Sequence, residues 1–249
     1  MRILCLNANT TPYVTTTVGD EMRATLGEAA EVLDRAAAFG PAVIMTRLDN
    51  AVAVHGVVDA AAAAMEAHPD IDAIMLAVSF DTARDALREA LSIPVVGMTE
   101  ASVAMARLVG GRIGYISMGA AVTPLYRETL GHCDLDRDMA GWEALEAPSA
   151  YRPGDKTELD ALLTNAAASL GAQGADVVVL LGAVLAGAAR RLADKSPVPL
   201  IDGGAAGALM ARAMVDLGAP TPKVGTYARR PGGRLGGVSE ALARLQAPD

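Results

Sequence analysis

Two stretches of this chain are built to one plan. Residues 72–87, DAIMLAVSFDTARDAL, and residues 176–192, DVVVLLGAVLAGAARRL, each start at an aspartate, run through an apolar strand, cross a short loop and enter an alanine-rich segment with helical spacing. A strand that is apolar at every position and followed by a helix is one covered on both faces, which is the mark of a parallel sheet. The echo continues on either side. Ile93-Pro94-Val95-Val96 is matched by Val198-Pro199-Leu200-Ile201, and RILCLNA at 2–8 by RIGYISM at 112–118, with Thr-Pro following at Thr11–Pro12 and Thr123–Pro124. An ordered set of matches offset by 104 to 112 residues points to duplication. With 52 % hydrophobic residues, the 249-residue chain has material for two cores.

In chain order, the patterning predicts strands at 3–7, 42–46, 71–78, 93–98, 112–118, 176–182 and 198–202, and a further one around 144–147. Helices are predicted over 14–38, 52–67, 82–91, 100–109, 156–171, 185–193 and 204–217. The expected fold class is therefore α/β, with two similar domains built on parallel sheets, at 1–110 and 111–217. The glycine- and arginine-rich tail, 218–249, is expected to pack back onto the first domain or to stay partly mobile.

Composition removes several function classes. The formal net charge of −8 and the low aromatic content of 3 % argue against nucleic-acid binding, which calls for a basic stripe with stacking side chains. No apolar run reaches the roughly 18 residues of a membrane span, and the N-terminus lacks a signal-peptide pattern, so a cytoplasmic location is expected. Cys5 and Cys133 have neither disulfide-framework nor zinc spacing, and His55, His68 and His132 are scattered, so no metal site is expected. The stretch Gly203-Gly204-Ala205-Ala206-Gly207 opens a helix but departs from the dinucleotide fingerprint, and no phosphate-binding P-loop is present.

In parallel sheets, ligands bind beyond the carboxyl ends of the strands. Four loops qualify. Asn7, Asn9, Thr10 and Thr11 offer amides and hydroxyls, either to a ligand or to an ordinary capping turn. Val78, Ser79, Phe80 and Asp81 bring a hydroxyl, with Asp81 able either to orient it or to cap the next helix. Ser117, Met118 and Gly119 form the counterpart of the asparagine loop. Gly182, Ala183 and Val184 have no side chain able to do acid–base work. Glu100 is either the polar start of a helix or a wall of the site.

These residues carry a resemblance. ILCLNANTT, DAIMLAVSFDTARDAL followed by IPVVGMTEAS, and DVVVLLGAVLAG followed by VPLIDGGAAGA together resemble the Asp/Glu/hydantoin racemase superfamily, in its hydantoin- and allantoin-racemase-like branch, over most of the chain. The resemblance implies two flavodoxin-like domains related by a pseudo-twofold, a cofactor-independent site in the cleft between them, and assembly into a homo-oligomer. It also implies two cysteines, one taking a proton from the substrate's acidic carbon and the other returning one to the opposite face. The first belongs at Val78 or Ser79, according to whether the alignment follows Asp81 or the internal repeat, and the second at Ala183. Neither position holds cysteine, and a serine hydroxyl is a far weaker base than a thiol.

The expectation is therefore an enzyme with one-sided chemistry on a small cyclic ureide, cyclic amide or amino-acid-like carboxylate: ring-opening hydrolysis, or a lyase or decarboxylase step. Ser79 would act as nucleophile or proton donor with Asp81 supporting it. The alternatives are a racemase or isomerase using other bases, or one whose catalytic cysteine has been replaced, and a non-catalytic small-molecule-binding homologue.

Overall fold

The computed structural model describes residues 1–132, 134, 136–146, 150, 152–218, 221–222, 224–230 and 232–246. Cys133 and Ala147 lie outside the described residues. Two four-stranded parallel sheets form the frame. The first contains β1 (Arg2–Asn7), β2 (Glu31–Ala36), β3 (Ala73–Leu76) and β4 (Val95–Gly97), in the order β2-β1-β3-β4. The second contains β5 (Ile113–Met118), β6 (Met139–Leu145), β7 (Val177–Leu181) and β8 (Leu200–Asp202), in the order β6-β5-β7-β8. The same order twice is the expected α/β duplication, and the repeat extends to hydrogen bonds. Asp72 accepts from the Arg2 amide at 2.7 Å, and Asp176 accepts from the Arg112 amide at 2.9 Å.

The helices are α1 (Pro12–Leu26), α2 (Arg47–Ala67), α3 (Arg84–Ala90), α4 (Met98–Val109), α5 (Thr123–Gly131), α6 (Thr157–Ala172), α7 (Ala188–Arg191), α8 (Gly203–Asp216) and α9 (Glu240–Gln246). One face of the first sheet, with Leu4, Leu6, Ile74 and Leu76, packs on Ala53, Val57, Ala60 and Ala61 of α2. The opposite face, with Ile3, Cys5 and Met75, packs on Val18 and Met22 of α1 and on Ala206, Ala208 and Ala211 of α8. In the second sheet, Ile116, Val178 and Leu180 meet α6, whereas Tyr115, Val177 and Val179 meet Val103 and Ala106 of α4 together with Tyr126 and Leu130 of α5. Each half thus lends its last long helix to the other half's sheet. Close approach makes this possible, because a methyl group on Gly207 of α8 would stand 2.8 Å from Met75 Cγ in β3.

Two expectations need correction. The patterning predicts one helix over 14–38, but α1 stops at Leu26, where Gly27 takes a positive φ of 55°, and Glu31–Ala36 forms the edge strand β2. Only Val32 of that strand is buried, so its sequence EVLDRA carries no strand-like apolar run. Residues 42–46, AVIMT, are not a strand. Ile44 is buried on the first core while Met45 is exposed, and the loop crosses the end of β1, where the Pro41 carbonyl accepts from the Thr10 amide at 3.0 Å. In the tail, α9 packs on α2, with Leu245 against the first core and Arg244 paired with Glu66. Among the described residues, no helix is long and apolar enough to cross a membrane.

Candidate active site

The loops that follow β1, β3, β5 and β7 converge between the two sheets. Val14, just after the asparagine loop, packs with Met118, Val184 and Leu185 of the second half, and Leu125 of α5 packs into the first core. A direct bond joins the walls: the Gly182 N–H donates to Ser79 Oγ at 2.9 Å, and the Ser79 hydroxyl donates to Met98 Sδ at 3.3 Å. Ser79 is buried. Its proton therefore rests on a thioether sulfur, a weak acceptor, while its oxygen is held by a backbone amide.

The repeat settles which residues of the two loops correspond. The Asp81 amide donates to the Val78 carbonyl as the Leu185 amide does to that of Gly182, and Ala83 and Gly187 both take left-handed φ, 64° and 80°. All these pairs are 104 residues apart, so Ser79 is the structural counterpart of Ala183, and Val78 of Gly182. Ala183 is half-buried and packs into the cores of both halves.

Asp81 does not bond to Ser79. Its two carboxylate oxygens accept from the Thr99 amide at 2.9 Å and the Glu100 amide at 3.0 Å, so it caps α4. Burial pushes its carboxyl up to about 7, opposed by the two amide bonds and by Arg84 and reinforced by the Glu100 charge. Gly97, the residue before α4, has to be glycine, because a methyl group there would overlap the Asp81 carboxyl. Thr99 completes the clamp, its hydroxyl donating to the Ser79 carbonyl at 2.6 Å.

The asparagine loop is internally satisfied. Asn7 Nδ2 donates to Asn9 Oδ1 and to Thr15 Oγ1, both at 3.0 Å, and the Asn9 amide donates to Asn7 Oδ1 at 3.1 Å. The Thr11 hydroxyl donates to the Ala42 carbonyl at 2.6 Å, and Thr10 lies under Pro41. Of the β5 residues, Ser117 is fully buried and accepts from Trp142 Nε1 at 3.0 Å, so its hydroxyl is engaged within the second half. Met118 lies beside Gly182, and Gly119 turns with φ 84°. Phe80 stacks against Tyr126 with ring centroids 4.5 Å apart, and Val78 and Val184 are buried. Glu100 takes no part in the Ser79–Gly182 contact. It pairs with Arg84 at 3.2 Å and with Arg88, and it accepts from the Gly97 amide at 2.9 Å.

Met98, Thr99 and Tyr126 are part of this site and carry no motif of their own. Thr99 and Met98 follow the strand IPVVG, and only the pairing of β3 with β4 brings them under Ser79.

The Asp/Glu/Hydantoin racemase family model matches residues 3–211. The chain belongs to that family. It is 28 % identical over 231 residues to a hydantoin racemase from Paenarthrobacter aurescens, covering 91 % of this chain and 96 % of that protein. Allantoin racemase from Klebsiella pneumoniae superposes with a TM-score of 0.89 at 28 % identity, covering 97 % of this chain and 98 % of the other. Allantoin racemase from Pseudomonas fluorescens gives 0.83 at 26 %, covering 95 % and 100 %. These matches over nearly the whole chain bear out the two flavodoxin-like domains and overturn the expectation of hydrolysis or a lyase step, because the relatives matched over that length are hydantoin and allantoin racemases. Within the family, this chain has serine and alanine at the paired positions 79 and 183, and its one described cysteine, Cys5, is buried in the first sheet.

Proposed function

We propose that this protein is a racemase of a small cyclic ureide, of the hydantoin or allantoin class, that works without a pair of thiols. The observation that carries this reading is the bond from the Gly182 N–H to Ser79 Oγ, a polar hydroxyl at the junction of the two walls in a chain that matches such racemases over nearly their whole length. The acidic ring carbon of a cyclic ureide lies between a carbonyl and a nitrogen. When its C–H bond breaks, the electron pair passes onto the carbonyl oxygen as an enolate, and protonation from either face restores the C–H bond.

Ser79 suits the enolate oxygen. Its proton leaves the weak sulfur acceptor for a strong anionic one, and the Gly182 amide continues to hold its oxygen in place. With no ionisable side chain at Gly182, Ala183 or Val184, the carbon's proton leaves to water and returns from it.

An enantiopure 5-substituted hydantoin, and allantoin itself, incubated with the protein in D₂O provide the test. Optical rotation should decay as deuterium enters the ring carbon, with the ring intact, and Ser79→Ala should slow this about 100-fold. Rotation and deuterium content no different from the buffer control would sink the reading. An unchanged rate in Ser79→Ala would remove Ser79 from it.

A further inference from the structure

Among the described residues of its own half, Met98 is the one side chain that bonds the Ser79 hydroxyl, yet the Ser79 peptide is gripped from below by α4. Asp81 holds the first turn of that helix through the Thr99 and Glu100 amides, and Thr99 in turn binds the Ser79 carbonyl. The loop that makes these contacts is bent to suit them, since Asp81 and Ala83, neither of them glycine, take φ of 48° and 64°. We propose that Asp81 is the positioning residue of this site: in its ionised form it locks α4 and Thr99 against the loop and so aims the Ser79 hydroxyl across at Gly182. The proposal rests on the racemase reading only for its effect on turnover.

The chemistry of a carboxyl group explains why ionisation matters. A carboxylate offers lone pairs on both oxygens and accepts both amides, whereas a protonated carboxyl turns one oxygen into a donor and loses one of them. The charged groups around Asp81 are Glu100 on α4, and Arg84 on α3 at 3.6 Å, itself paired with Asp85 and Glu100. Asp85 and His132 line the same small cavity, of about 170 Å³, as Asp81. Burial is the largest influence on Asp81 and sets its titration near neutrality, at about 7. The clamp is therefore complete above that pH and opens as pH falls through it.

The test reads position and turnover separately, in the full chain. Exchange of the Gly182 amide, followed by NMR between about pH 5.5 and about pH 8.5, reports whether Ser79 still accepts from it without any substrate present. In the wild type its protection, corrected for intrinsic exchange, should fall about tenfold as pH drops below about 7. Asp81→Asn should show the lower protection throughout with no such step. Thr99→Val should lower it similarly, and Thr99→Ser, which restores the hydroxyl, should recover it. For racemisation, kcat should track the protection in each variant while KM stays within about twofold. Protection that is flat with pH in the wild type and unchanged in Asp81→Asn and Thr99→Val overturns the proposal. If protection behaves as described but no cyclic ureide is racemised, the positioning role stands and the racemase reading fails.

Discussion

In the first half of the molecule, the carboxylate that caps the helix after the sheet reaches in from a neighbouring loop; in the second half, it belongs to the helix itself. Asp81, from the loop after β3, accepts from the α4 amides, while Asp202, at the N-cap of α8, accepts from the Gly204 and Ala205 amides at 3.0 and 3.1 Å. The positions are exchanged between the repeats. Where Asp202 stands, the first half has Gly97, and where Asp81 stands, the second half has the apolar Leu185. Both carboxyls are pushed up, chiefly by burial, and each is flanked by one acid and one arginine: Glu100 and Arg84 beside Asp81, Glu21 and Arg190 near Asp202. The comparison teaches that the two helix starts meet the same need for an acceptor with carboxylates from different places in the chain. Both carboxylates tie their helix to the loop after the preceding strand, since Asp202 also accepts from the Ala189 amide at 3.3 Å. Only the first half adds a hydroxyl: Thr99 holds the Ser79 carbonyl, and its counterpart Gly204 has no side chain to do the same for Ala183.

The sharpest way to break this comparison is Gly97→Ala, whose methyl group would overlap the Asp81 carboxyl. Overpacking and loss of the cap together should cost about 3 kcal/mol, read from urea unfolding midpoints. If the double variant Gly97→Asp/Asp81→Leu, which installs the second half's arrangement in the first, is no more stable than Asp81→Leu alone, the exchange of positions is not interchangeable chemistry. Next in size, Asp202→Ala should cost about 1–2 kcal/mol, because the α8 amides lose their acceptor while a desolvated carboxyl is also removed. That variant should leave the pH dependence of Gly182 exchange in place, since Asp202 serves the other helix. The smallest effect is a gain. Ala83 holds the left-handed position that Gly187 occupies in the repeat, so Ala83→Gly should stabilise by about 0.5 kcal/mol in thermal or urea unfolding.

Much of the fold was legible because its signals are local. The aspartate-led strands at Ala73–Leu76 and Val177–Leu181 are apolar at every position, and α2 and α6 have lengths and spacing that no strand could satisfy. Of the four edge strands, β4 and β8 were legible, whereas β2 reads as helix and β6 shows only at its end, around 144–147. Glu31–Ala36 is mostly exposed, and Met139–Leu145 is half-buried throughout, so neither carries a run of apolar residues. Their strand geometry comes from backbone pairing with β1 and β5. In the site, the hydroxyl of Ser79 and the bareness of Ala183 could be read directly, as could the chance that Asp81 caps a helix. Which helix it caps could not be read, because Asp81 and Thr99 lie 18 residues apart and meet only through the pairing of β3 with β4.

The sequence by itself determined the duplication, the parallel strands and the asymmetry of the two walls, all properties of residue type and short-range period. Tertiary structure alone decided that α4 covers the second sheet and α8 the first, and hence that the cleft is closed by a Gly182–Ser79 bond and braced from below by Asp81 and Thr99. The physical reason is that an alanine-rich amphipathic helix fits either sheet equally well by pattern. Only the summed packing of both halves selects which face it buries.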